Sequence, residues 1–191
     1  MKLVILDRDG TINADSDEFI KSPEEWTPLP GALEAIARLN HAGWHAVIAS
    51  NQSGLGRGLF DVASLNAMHA KMHKMLAAQG GRIDAVFYCP HTPDEGCTCR
   101  KPLPGLFEQI GDRFGIELKG THVVGDGLRD LQGGAAAGCE PHLVLTGKGA
   151  AYRGQQLPEA FPAGTRVHED LAAFAEWLIS QQPVAKPTSA A

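Results

Sequence analysis

The feature that most constrains the fold is the alternation of short apolar segments with amphipathic ones. Apolar runs such as residues 2–6 and 45–49 are bounded by polar residues or glycine and predict buried strands. The segments between them carry apolar residues at helical spacing, and Gly43 and Gly138 are plausible helix stops. Strand–helix–strand repetition of this kind indicates an α/β fold with a single doubly wound parallel sheet, covered by helices on both faces.

The predicted elements fill most of the chain. The strands are expected at residues 2–6, 45–49, 83–88, 121–124 and 142–145, and the helices at 31–42, 61–79, 104–114, 128–137 and 169–180. A length of 191 residues fits one domain, which we place at residues 1–181. The tail, 182–191, lacks large apolar residues after Val184 and is predicted to be disordered.

Composition excludes several classes of function. The formal net charge of −5 argues against a general nucleic-acid surface, which needs clustered cations. The sequence shows no apolar run of about 20 residues that could span a membrane, and no signal peptide pattern follows Met1. We therefore expect a cytoplasmic monomer without nucleic-acid or membrane partners. The four cysteines are then expected to be thiols or metal ligands.

Two carboxylates lie directly after the first predicted strand. Asp7 and Asp9 are separated by Arg8 and are followed by Gly10. Because glycine has no side chain, backbone N–H groups can approach an anion closely there. A carboxylate can attack phosphorus as a nucleophile, and a neighbouring carboxyl group can handle the leaving oxygen's proton. Taken alone, such a pair is more often a surface turn. The interpretation as a catalytic pair depends on what else reaches this edge of the sheet.

A second acidic pair follows the fourth predicted strand. The carboxyl ends of parallel strands share one edge, so Asp126 and Asp130 are expected near Asp7. Mg²⁺ takes oxygen ligands, and Asp7, Asp126 and the backbone carbonyl of Asp9 could supply them. Asp130 either supports these ligands or simply occupies the first turn of a helix, where acids are favoured.

Polar and basic residues complete the predicted pocket. Ser50 and Asn51, after the second strand, can donate hydrogen bonds to a phosphoryl oxygen, although turns and helix caps also use them. Lys101 can offset the negative charge that develops on a phosphoryl group, and Arg100 can bind a second anionic group. An isolated Arg-Lys pair is usually solvated, so this assignment depends on its agreement with the aspartates.

These segments, in this order, resemble the haloacid dehalogenase superfamily of aspartate-nucleophile phosphatases. The matching residues are 7–11, Ser50-Asn51, Lys101, and Gly125-Asp126 with Asp130. The resemblance covers residues 2–147 and implies a Rossmannoid fold. The chain has no long insertion between its first three strands, so we expect no large cap domain.

A narrower similarity joins the chain to one branch of that superfamily, the phosphatases of D-glycero-D-manno-heptose 1,7-bisphosphate and of histidinol phosphate. It is carried by residues 6–13, 50–54 with Arg57-Gly58, and 99–102. The resemblance implies Mg²⁺-dependent removal of the heptose 7-phosphate through an aspartyl-phosphate, in lipopolysaccharide precursor synthesis. A histidinol-phosphate phosphatase, another small phosphomonoesterase and a non-enzymatic zinc-stabilised binding module remain alternatives.

The resemblance also implies roles for individual residues. The catalytic residues would be Asp7, Asp9, Ser50 and Lys101, and the substrate-binding residues Asp15, Ser16, Asp17, Glu18, Asn51, Gln52, Ser53, Arg57 and Arg100. Asp7 would be the nucleophile and Asp9 the acid and base. Some heptose enzymes carry lysine directly after the aspartate of the fourth motif, where this chain has Gly127, so the preferred anomer stays open.

A cluster of soft ligands precedes Arg100. The donors are Cys89, His91, Cys97 and Cys99. Three thiolates and one imidazole suit tetrahedral Zn²⁺, and the branch described above carries a zinc loop of this type, here residues 89–99. Four protein ligands leave no open position, so the expected role is structural. The alternative is a set of reduced cysteines that bind nothing. We expect His69 and His73, which are four residues apart, to lie on a solvated helix face.

Overall fold

The computed structural model of the protein describes residues 1–182. Six strands form one parallel sheet in the order β3-β2-β1-β4-β5-β6. The strands are β1 (Leu3–Leu6), β2 (His45–Asn51), β3 (Ala85–Cys89), β4 (His122–Gly125), β5 (Glu140–Val144) and β6 (Arg166–His168). The α-helices are α1 (Ala32–His41), α2 (Ser53–Gly56), α3 (Val62–Ala78), α4 (Gly105–Phe114), α5 (Leu128–Ala136) and α6 (Leu171–Ser180).

Both faces of the sheet are covered, as the apolar strands require. Successive strand residues point to opposite faces, so Val4 and Leu6 of β1 pack into one core, with α1, α3 and α6. Leu3 and Ile5 pack into the other core, with α4 and α5. The predicted doubly wound parallel sheet is therefore confirmed, with β1 between β2 and β4 at its centre.

The structure differs from the predicted elements in several places. The prediction omitted β6, which has only three residues and a partly exposed side-chain pattern, and it also omitted the single-turn α2 and a 3₁₀ helix at Gly147–Tyr152. Ser50 and Asn51 are the last residues of β2 and do not follow it as predicted, because they pair with Tyr88 and Cys89 of β3.

The connections agree with the absence of a large cap domain. Residues 7–31 link β1 to α1, and α2 and α3 link β2 to β3, without a further folded unit in these segments. None of the helices within residues 1–182 is long and apolar enough to cross a bilayer. Of the tail predicted to be disordered, residues 183–191 lie outside the described part of the chain.

The N-terminus of α6 gives a direct test of the local structure. Asp170 caps this helix, since its Oδ1 accepts a hydrogen bond of 2.8 Å from the N–H of Ala173. Asp170→Ala should lower the free energy of unfolding by about 1 kcal/mol, while Asp170→Asn, which keeps the acceptor, should lower it much less. Urea unfolding of both variants measures this. An equal loss in both variants would contradict the capping role.

Candidate active site

Three buried carboxylates meet at the carboxyl edge of the sheet. Asp7 directly follows β1, and its N–H continues the ladder by donating to the carbonyl of Val124 at 2.9 Å. Asp126 follows β4, and Asp130 lies in the first turns of α5. One oxygen from each of the three carboxylates lies within 4.8 Å of the others. The structure therefore brings Asp126 and Asp130 to Asp7.

Lys101 supplies the positive charge inside this cluster. Its ammonium group is 2.8 Å from Asp7 Oδ1 and 2.7 Å from Asp130 Oδ1, and it donates to the carbonyl of Ala49 at 2.6 Å. Burial alone would lower the pKa of Lys101, but Asp130 and Asp7 hold it above its ordinary value. The side chain is 2% exposed, so this charge is fixed in the site.

One ammonium does not balance three carboxylates. Burial, and then the repulsion of Asp130, raises the pKa of Asp7 to about 7 despite the opposing Lys101. Burial, Asp7 and Asp130 raise the pKa of Asp126 to about 8. Burial and carboxylate repulsion cause both shifts, and a divalent cation would oppose them by stabilising the charged carboxylates. The donor set therefore fits Mg²⁺, which accepts one or two carboxylates with substrate and water oxygens.

The position of Asp126 requires glycine at two distant places in the sequence. Gly10 has a φ of 83°, and a Cβ built there would overlap Asp126 Oδ2. Gly147, with a φ of 51°, approaches the same oxygen. The N–H of Lys148 donates to this oxygen at 2.8 Å, so Asp126 is held from both sides.

The Asp9 carboxylate points into a separate hydrogen-bond network and is absent from the three-carboxylate cluster. It accepts bonds from the Arg8 guanidinium at 2.9 and 3.1 Å, from Asn13 at 2.9 Å and from Gln52 at 3.1 Å. Burial alone would raise the pKa of Asp9, but Arg8 and these bonds hold it below its ordinary value. The carboxylate is therefore bonded elsewhere. The group of Asp9 that was predicted to bind metal is its backbone carbonyl.

His69 lies behind Asp9, and the prediction that it is on a solvated helix face is wrong. His69 is buried rather than solvated, and its Nε2 accepts from a nitrogen of Arg8 at 3.2 Å. Burial and the Arg8 charge lower the pKa of His69 to about 4, so the neutral ring can act as this acceptor. Sequence reasoning missed the contact because the polar ring interrupts the apolar face of α3.

A cavity of about 490 Å³ opens over these groups. It is lined by the four predicted catalytic residues, by the predicted magnesium ligands, and by eight of the predicted substrate-binding residues, namely Asp15, Ser16, Asp17, Asn51, Gln52, Ser53, Arg57 and Arg100. Glu18 is the ninth and does not line the cavity. Its backbone closes a turn there, with its N–H bonded to Ser16 Oγ and its carbonyl to Lys21.

Seven further residues line the same cavity and were not predicted, and three of them carry a charge or an aromatic ring. Arg129 lies in the first turn of α5, Lys148 reaches to 3.9 Å from Asp15, and Phe19 lies under the Arg57 guanidinium at 5.7 Å. A cation in the first turn of a helix opposes the helix dipole. That conflict at Arg129 was the one signal in the sequence from which its place in the pocket could have been suspected.

The four soft donors also converge. Cys89 Sγ lies 3.6 Å from Cys97 Sγ and 3.4 Å from His91 Nδ1, which lies 3.3 Å from Cys99 Sγ. Tetrahedral Zn²⁺ with thiolate bonds of about 2.3 Å separates its sulfur ligands by about 3.8 Å, so the cluster could hold zinc. The carbonyl of His91 is 3.5 Å from an Arg100 nitrogen.

Comparisons with known proteins agree with this geometry. Residues 2–133 match the family model for polynucleotide kinase 3 phosphatase, and residues 98–174 match the HAD-hydrolase-like model. A D-glycero-β-D-manno-heptose-1,7-bisphosphate 7-phosphatase of Bordetella bronchiseptica is 59% identical over 181 residues, which cover 95% of this chain and 99% of the relative. The chain belongs to the HAD-like phosphatase family. This phosphatase is accordingly a phosphoric monoester hydrolase, which excludes the non-enzymatic alternative.

Other relatives support the same assignment of this HAD-like phosphatase. A 7-phosphatase of the same name from Pseudomonas aeruginosa is 51% identical over 93% of this chain and 97% of its own length. The D,D-heptose 1,7-bisphosphate phosphatase of B. bronchiseptica, solved with magnesium and phosphate, superposes with a TM-score of 0.89 at 58% identity, covering 95% of this chain and 100% of that one. The predicted membership of the haloacid dehalogenase superfamily is confirmed.

Replacing Lys101 tests the charge balance of this phosphatase. Lys101→Met should lower kcat by at least about 10²-fold, the scale of removing one electrostatic stabiliser of a transition state. Lys119→Met, at an exposed position, is the control and should keep wild-type turnover. Phosphate release measures both, with circular dichroism to confirm folding. A folded Lys101→Met enzyme with wild-type kcat would exclude a catalytic role for this ammonium.

Proposed function

We propose that this phosphatase removes the 7-phosphate of D-glycero-β-D-manno-heptose 1,7-bisphosphate, leaving the 1-phosphate. The proposal rests on relatives that carry this name and are up to 59% identical over nearly their whole length. Their names favour the β-anomer, which the motifs alone left open. Such a reaction would belong to the synthesis of heptose precursors for lipopolysaccharide.

Within the structure, the observation that supports a bisphosphate substrate is a group of three arginines beside the acidic centre. Arg57, Arg100 and Arg129 line the cavity that contains Asp7, and within residues 1–182 none of them forms an ion pair with a carboxylate. Burial and the positive charges of Arg129 and Arg57 hold the pKa of Arg100 below its usual range. A second phosphate would neutralise these crowded guanidinium groups, which suits a bisphosphate.

The first chemical step would use Asp7 and Asp9. The Asp7 carboxylate attacks phosphorus, the bond from phosphorus to the sugar oxygen breaks, and that oxygen takes a proton from Asp9. Against the effect of burial, Arg8 holds the pKa of Asp9 low in the free protein, so this step requires Asp9 to gain a proton when the substrate's negative charge enters the site. Lys101 and Ser50 stabilise the transferring group. The product of this step is an aspartyl-phosphate on Asp7 and a free sugar hydroxyl.

The second step would regenerate the enzyme. Asp9, now a carboxylate, takes a proton from water, and the water oxygen attacks the phosphorus bound to Asp7. The bond between Asp7 and phosphorus breaks and inorganic phosphate leaves. When bound, Mg²⁺ would be held by Asp7, Asp126 and the Asp9 carbonyl, and would supply positive charge to the phosphoryl oxygens.

Histidinol phosphate is the alternative substrate, and it has a single phosphate. Initial rates of phosphate release on the two anomers of the heptose bisphosphate, on the heptose 7-phosphate and on histidinol phosphate distinguish the cases. The proposal expects the highest kcat/KM on the β-bisphosphate. Equal or higher kcat/KM on histidinol phosphate would refute it.

The arginines can be tested with the same substrates. Arg100→Ala should raise KM for the bisphosphate about tenfold to a hundredfold, because hydrogen bonds to a charged group contribute a free energy of this size. It should change KM for the 7-monophosphate far less. Arg38→Ala, at an exposed position of α1, is the matched control. If Arg100→Ala raises KM equally for both substrates, Arg100 does not bind the second phosphate.

Loss of the nucleophile should stop turnover without unfolding the chain. Asp7→Asn keeps the side-chain volume and removes one of the repelling carboxylates, so folding should persist while kcat falls by at least about 10⁴-fold. Asp112→Asn, at an exposed position of α4, makes the same charge change as a control. Trapping of radiolabelled phosphate on wild-type protein, but not on Asp7→Asn, would support the covalent step. Substantial activity of Asp7→Asn would exclude it.

We also propose that residues 89–99 form a structural zinc site, because their four donors close a tetrahedral shell. Purified protein should contain about one zinc per chain. Chelation followed by excess Mg²⁺ should lower the melting temperature and raise KM, and added Zn²⁺ should reverse both. Cys139→Ala, outside the cluster, should keep the metal. Undiminished stability and KM after complete zinc removal would contradict the structural role.

A further inference from the structure

Three histidines from adjacent strands form a chain of ring contacts. His122 of β4, His142 of β5 and His168 of β6 meet on the face covered by α6. His122 Nδ1 is 2.9 Å from His142 Nε2, and His142 Nδ1 is 3.0 Å from His168 Nε2. Phe174 and Trp177 of α6 pack against the rings. None of the three lines the cavity that contains Asp7.

The rings are neutral and can present lone pairs. Burial lowers the pKa of His142 to about 2 and that of His168 to about 4, and it lowers the pKa of His122 as well. A neutral imidazole has one N–H and one acceptor nitrogen. Two nitrogens that face each other at 2.9 Å can therefore share one proton, or one metal ion if an anionic ligand lies beside them.

Glu140 supplies that anionic ligand. It pairs with His122 across β4 and β5, and its Oε2 lies 3.6 Å from His122 Nδ1. This carboxylate oxygen, His122 Nδ1 and His142 Nε2 all lie within 4.8 Å of one another. A tetrahedral ion with bonds of about 2.0–2.1 Å places its ligands about 3.3 Å apart, between the observed 2.9 and 3.6 Å.

We propose that His122, Glu140 and His142 bind one divalent transition-metal ion, with zinc as the best-matched ion. Two imidazoles and one carboxylate suit Zn²⁺, Cu²⁺ or Ni²⁺ and disfavour Mg²⁺. The Glu140 side chain is 55% exposed, whereas His142 is fully buried, so the ion enters from the Glu140 side. Water takes the remaining position.

His168 acts as a positioning residue for this ion. A metal-binding imidazole usually donates its second N–H to an acceptor, which fixes the tautomer. In the tautomer that suits metal binding, His142 Nδ1–H donates to His168 Nε2 across the 3.0 Å contact, and the His142 Nε2 lone pair then faces the ion. In the same arrangement His122 binds the ion through Nδ1 and carries its proton on Nε2, so both rings stay neutral.

This site is separate from both other metal positions. Its donors are nitrogen and oxygen, whereas the cluster at residues 89–99 has three sulfurs. His122 begins β4, while Asp126 follows the opposite end of that strand. Bound metal would join β4 to β5 under α6, so it should stabilise the fold without altering catalysis.

Co²⁺ is a suitable probe for the test. The full chain, with zinc already in the cysteine cluster and Mg²⁺ in excess, is titrated with Co²⁺. We expect one additional Co²⁺ per chain, with visible ligand-field absorption but no thiolate-to-cobalt charge-transfer band. The melting temperature should rise with Co²⁺ or Zn²⁺, and kcat should not change.

Variants decide which residues bind the ion. Glu140→Gln and His122→Asn should weaken Co²⁺ binding about tenfold or more, and His168→Gln by about 10–100-fold, the range for losing an outer hydrogen bond to a ligand. Glu117→Gln, exposed before β4, is the control. The proposal is overturned by absence of the extra Co²⁺, by a thiolate band accompanying all binding, or by Glu140→Gln and His122→Asn proteins that bind Co²⁺ like wild type.

Discussion

The contact on which the active site depends is the buried ammonium of Lys101 between Asp7 and Asp130. Removing three carboxylates from water into a small volume is costly unless positive charge offsets them. Lys101 offsets part of this cost within the protein itself. The elevated pKa values of Asp7 and Asp126 show that the offset is incomplete. The protein thus keeps a folded acidic site that still favours a further cation.

Lys101 is held in place by two segments that are distant in sequence. The Asn51 side chain donates to the carbonyl of Lys101 and accepts from its N–H, at 3.1 and 3.0 Å. Asn51 also pairs with Cys89, where the cysteine cluster begins, and that cluster ends at Cys99. The end of β2, the loop 89–99 and the catalytic lysine therefore form one connected unit. A change in the loop would be transmitted to the charge balance at Asp7.

The sequence predicted the parts of the molecule that follow from strand periodicity. Asp7 and Asp126 come together because both directly follow buried apolar strands of one parallel sheet. Contacts between side chains far apart in sequence carry no such pattern. His69 shares the buried face of α3, but it was expected in solvent because nothing in the sequence identifies Arg8 as the partner of its polar ring. The short strand β6, with its partly exposed residues, gives too little periodicity to detect, so the histidine contacts of β4–β6 were also missed.

The close contacts around one oxygen of Asp126 bear on which metal ion the site prefers. Gly10, Gly147 and the N–H of Lys148 occupy the surroundings of its Oδ2. Within residues 1–182 the other oxygen accepts no hydrogen bond, so this carboxylate is arranged to bind an ion through one atom. Calcium takes six to eight oxygens in a flexible shell and often uses bidentate carboxylates, whereas magnesium takes six at short distances. Gly10 and Gly147, which are far apart in the sequence, thereby favour magnesium over the larger ion.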